Sequence, residues 1–498
     1  MVLTPQQIYA ELLRKDIDKT SAAQLLISLI ENVEKLETRI ESLKTIQKID
    51  IRNEKIFSLL ENLMISDTNE QVRVLAAKTI KDLFQQKALT PLQWALDHER
   101  SLSCLIDLLS IISEIDDDRA RYLLLKKLKE INKKKYKYNL KILFKEKEPG
   151  DLTNKELAEL LMNYYIISSL KINFGYLKFD YNKSGAVISL DLSNVDSHSF
   201  NSLNTYLDSI LSLTFLKKLD LSNNNLSRLP LKAIQGSNLE YLDLSYNKIT
   251  SLNDAIVNLK SLKILNLKFN KLKSLPESIS SLSNLESLNL RSNQLNELPR
   301  SIGSLNTLEF LDLQENKLNT LPIAISNLKS IKELQLRGNN FNIIPSCLEN
   351  LVSLKVLGLG RNKISVIPNW IKNLSSLREL DLYDNDLAVI SEEIFFPSSL
   401  ENLNLRNNRL HEVPSSIKYL NSLKKLNLSW NEIKYLPNWI GSLQSLEELN
   451  LWSNNIKNIP DSIESLQSLK VIYLNLTNIK RIPESLKKMQ KKGLLIKI

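Results

Sequence analysis

The chain is poor in the residues from which catalytic and metal sites are usually built. Its 498 residues include 10 glycines, 2 cysteines and 3 histidines. So few glycines leave no Gly-rich loop to cradle a phosphate, and no GxxxxGK(S/T), GxSxG, HExxH or CxxC motif occurs. His98, His198 and His411 are too scattered for a metal site. Cys104 and Cys347 stand far apart, which points to a reducing compartment and away from a disulfide-held secreted protein. The N-terminus lacks the apolar core of a signal peptide, and no uninterrupted apolar run reaches the ~18 residues of a membrane span. We therefore expect a cytoplasmic, non-enzymatic protein with no cofactor. A net charge of +10 is too mild to name a partner.

What the chain does have is an asparagine every 23 residues: Asn224, Asn247, Asn270, Asn293, Asn316, Asn339, Asn362, Asn385, Asn408, Asn431 and Asn454. Each sits in the frame LxxLxLxxNx(L/I/F), with occasional Ile or Val in a leucine slot. A fixed period of this length marks a stack of small units, none able to bury its apolar face alone. In LESLNLRSNQLNELP (residues 285–299), Leu288 and Leu290 alternate with Ser287, Asn289 and Arg291. That alternation predicts a short strand, leucines inward, stacked into a parallel sheet. The asparagine follows where the chain must turn, and its amide can satisfy backbone groups no ladder reaches. Its role is structural.

Proline marks the next corner, six residues on, at Pro230, Pro276, Pro299, Pro322, Pro345, Pro368, Pro414, Pro437, Pro460 and Pro483. Asn253 and Ser391 take the slot in two repeats. Proline suits the start of a short helical turn, and the apolar spacing after it fits a 3₁₀ segment. Trp370 and Trp439, each two residues after such a proline, read as structural. Val195 and Thr477 replace the asparagine at the two ends. Residues 172–192 read as a hairpin around Asn-Lys-Ser-Gly, capping the first repeat. Lys487, Lys488, Lys491 and Lys492 give the last repeat a polar end.

This pattern resembles the leucine-rich-repeat family over roughly residues 172–498, and most closely its 23-residue intracellular class, which includes Ras-pathway scaffold proteins. The resemblance implies an α/β horseshoe whose concave parallel sheet binds a protein. We expect no catalytic domain after the last repeat.

Residues 1–150 lack the register and read as helices. In FSLLENLMISDTNEQVRVLAAKTIKDLFQ (57–85), one helix ends near Ile65; Asp67 would cap the next, with Glu70 completing a capping box. Thr90-Pro91 with Gln93 reads as another helix start. DTNEQVRVLAAKTI resembles the second helix of a HEAT repeat, with Val72, Arg73, Ala76 and Ala77 in place. Residues 21–47 and 101–131 show only the helix-pair rhythm. The all-α, HEAT-like domain is thus a second interaction module. Residues 121–145 hold ten Lys or Arg against Glu130. They form either an anion-binding segment or the solvated face of the bundle's last helix. Thr153 and Glu156 spell a capping box for a further helix. The expected domains are 1–150 (helical), 151–195 (capping helix and hairpin), 196–483 (about 12 repeats) and 484–498 (cap).

The register also ranks surface positions. Two columns precede the asparagine on expected strand positions. Arg291, Arg337, Arg361 and Arg406 occupy their middle, with Tyr383, Asp384, Trp430 and Trp452 following. Trp, Tyr and Arg dominate interface hot spots, so Arg291 to Trp452 is the expected partner surface, with Gly338 and Gly360 leaving dips. The alternative is that these side chains shield one another, Arg stacking on aromatic rings. We expect a monomeric intracellular scaffold or adaptor in signal transduction. Its partner is a protein, which by family resemblance could be a small GTPase or phosphatase. Nucleic acid or an anionic membrane, met through 121–145, is the disfavoured alternative.

Overall fold

The computed structural model describes residues 3–133, 149–175, 177–182, 185–195, 202–228 and 238–498. The chain divides into two units, Met1–Asp191 with Asn201–Leu216, and Leu192–Phe200 with Lys217–Ile498.

The first unit is helical: α1 (Pro5–Arg14), α2 (Lys19–Asn32), α3 (Leu36–Ile49), α4 (Glu54–Ser66), α5 (Glu70–Leu83), α6 (Gln85–His98), α7 (Leu102–Ser113), α8 (Asp118–Lys133), α9 (Asn154–Phe174) and α10 (Ser202–Leu211). An antiparallel hairpin, β1 (Lys178–Tyr181) and β2 (Val187–Asp191), belongs to it. Leu26, Leu43, Ile46, Leu60, Val72, Ala76 and Ile80 are among its buried side chains. The Thr153–Glu156 box starts α9 as the spacing predicts.

Two expected helix starts are corrected. Asp67 does not cap α5: it closes α4 and pairs with Arg39. Asn69, directly before the helix, accepts from the Gln71 and Val72 amides instead. Pro91 does not start a helix but lies inside α6, because Ala88, Leu89, Leu92, Ala95 and Leu96 keep one buried face running through it. Of the basic segment, residues 134–145 lie outside the described residues. In the described part Leu123, Leu124, Leu128 and Ile131 are buried, and two of the cations are engaged. Lys127 binds Asp97 at 2.5 Å, and Arg121 donates to the Gly150 carbonyl at 2.6 Å.

Polar groups in this unit are handled case by case. Arg73 makes a two-point bridge to Glu99 at 2.9 and 3.0 Å and also donates to the Asp67 carbonyl. Burial alone would raise the Glu99 carboxyl, but hydrogen bonds from Arg73, Cys104 and two backbone amides outweigh it and hold it at about 2. Glu159 on α9 is 2% exposed and accepts from the Thr214 amide and hydroxyl, both at 3.1 Å. There burial wins over the hydrogen bonds and pushes the carboxyl up to about 7.

The second unit is a parallel sheet of short strands. Twelve three-residue strands, β3 (Lys218–Asp220) to β14 (Val471–Tyr473), recur with the repeat. Then α11 (Glu484–Lys491) leads to β15 (Leu495–Lys497), which pairs with β14. Register is exact from strand to strand: Leu288 aligns with Leu265 on one side and Leu311 on the other. Inner leucines such as Leu288, Leu290, Leu311 and Leu313 are fully buried, each repeat's core roofed by the next. On the opposite side of each repeat, most corner prolines stand as the N-cap of a 3₁₀ segment, and the proline carbonyl accepts from the third residue on, as Pro276 does from Ile279 at 3.1 Å. Trp370 and Trp439 sit half-buried in two of these segments.

Candidate functional site

The sheet face is built by one local device in each repeat. Leu288 and Leu290 point inward by strand alternation. Continued alternation would turn Asn293 outward. Instead Ser292 takes a left-handed conformation (φ 55), and the asparagine swings into the core. The same slot is left-handed at Asn223, Tyr246, Phe269, Glu315, Gly338, Arg361, Asp384, Asn407, Trp430, Ser453 and Leu476. Once inside, each asparagine bonds across repeats. Asn316 donates to the carbonyls of Leu290, Leu313 and Gln314 at 3.0, 3.1 and 3.2 Å and accepts from the Leu295 amide at 3.0 Å. At the ends, Val195 contributes only its amide, to Asn224, and the Thr477 hydroxyl replaces one rung by donating to the Leu474 carbonyl.

This geometry corrects the placement of the expected partner residues. Arg291, Arg337, Tyr383, Arg406 and Trp452 lie two residues past the ends of the strands, where each carbonyl still accepts from a backbone amide of the preceding repeat. Arg361, Asp384 and Trp430 are not on strand positions at all, but in the left-handed slot. Sequence alternation cannot show this, because the left-handed residue breaks the period of two.

The structure brings several of these side chains together. The Arg337 guanidinium stands 5.0 Å from the Tyr383 ring centre, two repeats away. Arg361 binds Glu315 at 3.0 Å, also two repeats away, and Asp384 lies 3.9 Å from it. Trp430 and Trp452 meet edge to face at 5.8 Å. Arg291 and Arg406 are not drawn into these groups by any contact shown, although the Arg291 Nε, like that of Arg337 and the Tyr383 hydroxyl, is buried without a hydrogen bond.

The expected dips at the glycines are filled. A Cβ on Gly360 would fall 2.3 Å from the Tyr383 ring, and one on Gly338 2.8 Å from the Glu315 carboxyl. Each glycine lets a neighbour's side chain cross over it and reach a partner on the far side. A depression of about 330 Å³ lies further along the sheet and is lined by Glu379, Asp381, Asn404, Lys425, Asn427 and Glu448.

The roles of three features escape the sequence reading, which takes the carboxylates recurring at Asp220, Asp243, Asp312 and Asp381 only as a surface pattern, whereas Asp243 and Asp312 are buried. Asp220, Asp243, Asn266, Asn289, Asp312, Asp381, Asn404, Asn427 and Asn450 hold the strand's last position, and each accepts from the amide two residues on. This Asx turn sets up the left-handed residue that follows. Burial raises the carboxyls of Asp312 and Asp381 above their usual range, with hydrogen bonds to the following turn opposing it. At the other strand end runs a row of exposed ion pairs. Glu240 sits between Lys217 and Lys263 at 2.9 and 3.0 Å, and Glu401 between Arg378 and Lys424 at 3.3 and 2.7 Å. Their alternating signs at one repeat position were the available signal. Finally, Tyr246 and Phe269 stand in the left-handed slot outside the Arg–Trp run, with rings stacked 4.5 Å apart.

The fold and this face define a parallel-β solenoid with a leucine core and an asparagine spine. Two leucine-rich-repeat families match: the leucine-rich repeat region over residues 279–379 and 362–458, and the leucine rich repeat over 214–272, 253–295 and 444–491. Together they span more than half of the chain, which belongs to the leucine-rich-repeat proteins. No catalytic family is among the matches.

Similar solved structures include a leucine-rich-repeat protein of Leptospira interrogans, 30% identical over 66% of this chain and 94% of its own, with a TM-score of 0.46. PEPR1 in complex with AtPEP1 is 26% identical over 67% of this chain and 54% of its own, with a TM-score of 0.50. TLR13 in complex with ssRNA13 is 29% identical over 59% of this chain and 48% of its own, with a TM-score of 0.50. This chain thus spans about half the length of the latter two. No curated protein matches it. Among the described residues, no group of three or more His, Cys, Asp or Glu could hold a metal, and no helix is long and apolar enough to cross a membrane.

Proposed function

We propose that this chain is a scaffold or adaptor that captures a protein partner on the sheet face of its repeats, between Arg291 and Trp452. Leucine-rich-repeat proteins generally mediate protein–protein contact, so the class of function follows from the family. The observation that carries the finer reading is the Trp430–Trp452 pair. Trp430 is 43% exposed on a left-handed residue, its ring and that of Trp452 meet edge to face, and Arg406, in the preceding repeat, is exposed. Core packing does not call for an indole there, whereas Trp and Arg are the commonest interface anchors. Arg337, Tyr383, Arg361 and Asp384 act in this proposal as a pre-set floor, because they already hold one another.

An intracellular signalling role belongs to the same proposal, and the buried thiols of Cys104 and Cys347 suit a reducing compartment. Control of a small GTPase or phosphatase pathway rests on the resemblance alone. The test is quantitative capture from native lysate with the full chain, wild type against Trp430→Ala/Trp452→Ala. Loss of the same captured proteins by about tenfold or more, with unchanged circular dichroism, is expected. Equal capture would overturn the reading.

A further inference from the structure

We propose that Tyr246 and Phe269 form a second anchor on the sheet face, shaped to hold an apolar side chain of an acidic protein segment. The proposal rests on the sheet-face reading above and extends it beyond Arg291–Trp452.

The first argument is conformational. Both residues sit in the left-handed slot, each at φ 55. For a bulky L-residue this conformation is locally unfavourable, and glycine or asparagine are the residues that take it readily. Three other repeats use those residues there, at Asn223, Gly338 and Asn407, and the rest hold Ser292, Glu315, Arg361, Asp384, Trp430, Ser453 and Leu476, so the conformation comes with the fold whatever the side chain. Backbone geometry therefore gives no reason for two consecutive aromatics. Burial gives none either: Tyr246 is 49% and Phe269 38% exposed. The left-handed turn serves the fold in every repeat, but two large aromatics left exposed on it serve neither packing nor backbone geometry.

The second argument is geometric. The rings stack nearly parallel, 4.5 Å apart at 14°, and support each other as one apolar plate.

The third argument is charge. The Lys268 ammonium lies 5.5 Å from the Tyr246 ring. Lys271 and Lys273, just beyond Phe269, are exposed, and no ion pair is shown for any of the three among the described residues. The carboxylate on the strand beneath, Asp243, is 8% exposed. It accepts from the Ser245 amide, the Asn266 amide group and the Tyr241 hydroxyl at 2.8, 2.8 and 3.2 Å, so it shows little charge to a visitor. An apolar plate with a basic rim complements an apolar side chain flanked by Asp or Glu. Single-stranded nucleic acid also stacks on aromatics beside cations. Here, however, the two rings already face each other and leave no slot for a base between them.

Tyr246 and Trp430 stand eight repeats apart, about 38 Å at the spacing of neighbouring strands. Between them the Arg361–Glu315 and Arg337–Tyr383 contacts close the face. The two aromatic pairs are therefore separate anchors, not one continuous site.

The experiment uses the full chain and fluorescein-labelled peptides of about twelve residues, long enough to cover a few repeats. One peptide has Asp and Glu around a central Phe-Leu; one replaces Phe-Leu by Ala-Ala; one replaces the acids by Lys. Fluorescence anisotropy should show the first binding at least about tenfold tighter than either control. Tyr246→Asn/Phe269→Asn should weaken it by about tenfold or more. Because asparagine suits the slot, that variant keeps the fold. Lys268→Glu/Lys271→Glu/Lys273→Glu tests the rim independently and should give a similar loss.

No preference for the first peptide, or unchanged binding by both variants, overturns the proposal. Binding lost only in Trp430→Ala/Trp452→Ala also overturns it, while leaving the sheet-face reading standing. Binding indifferent to both aromatic pairs would count against both readings. An oligouridylate that binds more tightly than the acidic peptide and depends on Tyr246 and Phe269 would replace the proposal with a nucleic-acid site.

Discussion

The helical unit and the repeat unit bury polar groups in opposite ways. In the repeats one side chain, asparagine, solves the same problem at every turn, and each rung bonds to the next. The helical unit has no shared solution. Arg73 with Glu99, Arg39 with Asp67, and Glu159 with Thr214 each occur once, on different helices. Translational symmetry explains the difference. Repeats stacked in strict register present identical unpaired carbonyls, so one neutral amide fits them all. Helices packed at varied positions present different ones, and several here are met by ionisable groups. The repeat spine should therefore be insensitive to pH and vulnerable to the loss of any rung, with the helical unit behaving the other way round.

The largest expected effect tests the spine. Asn316→Ala removes four hydrogen bonds and leaves buried backbone groups unpaired, at about 1 kcal/mol each, or about 4 kcal/mol in all. Hydrogen exchange should show the loss concentrated around Leu290 to Leu318, because a repeat contacts mainly its neighbours. A uniform loss over all the repeats would break the one-rung picture.

Next comes Glu159. Its folded value of about 7 lies above the ordinary 4.5, so the carboxyl is protonated in the fold at mildly acidic pH. Its contribution is complete below about pH 4.5 and is lost as pH rises through about 7, on the order of 3 kcal/mol in total. Glu159→Gln should remove that slope. Melting of the helical unit, followed between pH 5 and 8, checks it; an unchanged slope in the variant would place the titration elsewhere.

The smallest effect probes where the repeats depart from symmetry. Gly360→Ala places a Cβ against the Tyr383 ring and should cost about 1–2 kcal/mol by forcing that ring off Arg337. If stability and the Tyr383 environment stay unchanged, the crossing of side chains over glycine is not what holds the middle of the face.

The sequence by itself determined the period, the strand register, the inward leucines, the spine and the existence of a separate helical domain. These follow from spacing, because a 23-residue unit must bury its leucines against the next copy. The Thr153–Glu156 cap was legible for the same reason: its partners are three residues apart. Only the tertiary structure decided the surface. Arg361 finds Glu315, and Arg337 finds Tyr383, each 46 residues away in the chain, because a glycine between them leaves room to cross. Nor could periodicity show that the residue before each asparagine turns left-handed, since a backbone reversal breaks the alternation from which faces are read. That reversal set Tyr246, Phe269 and Trp430 apart as exposed aromatics on unfavourable backbone. In the two proposals above, the anchors are the large aromatics that this slot leaves exposed rather than the row of arginines.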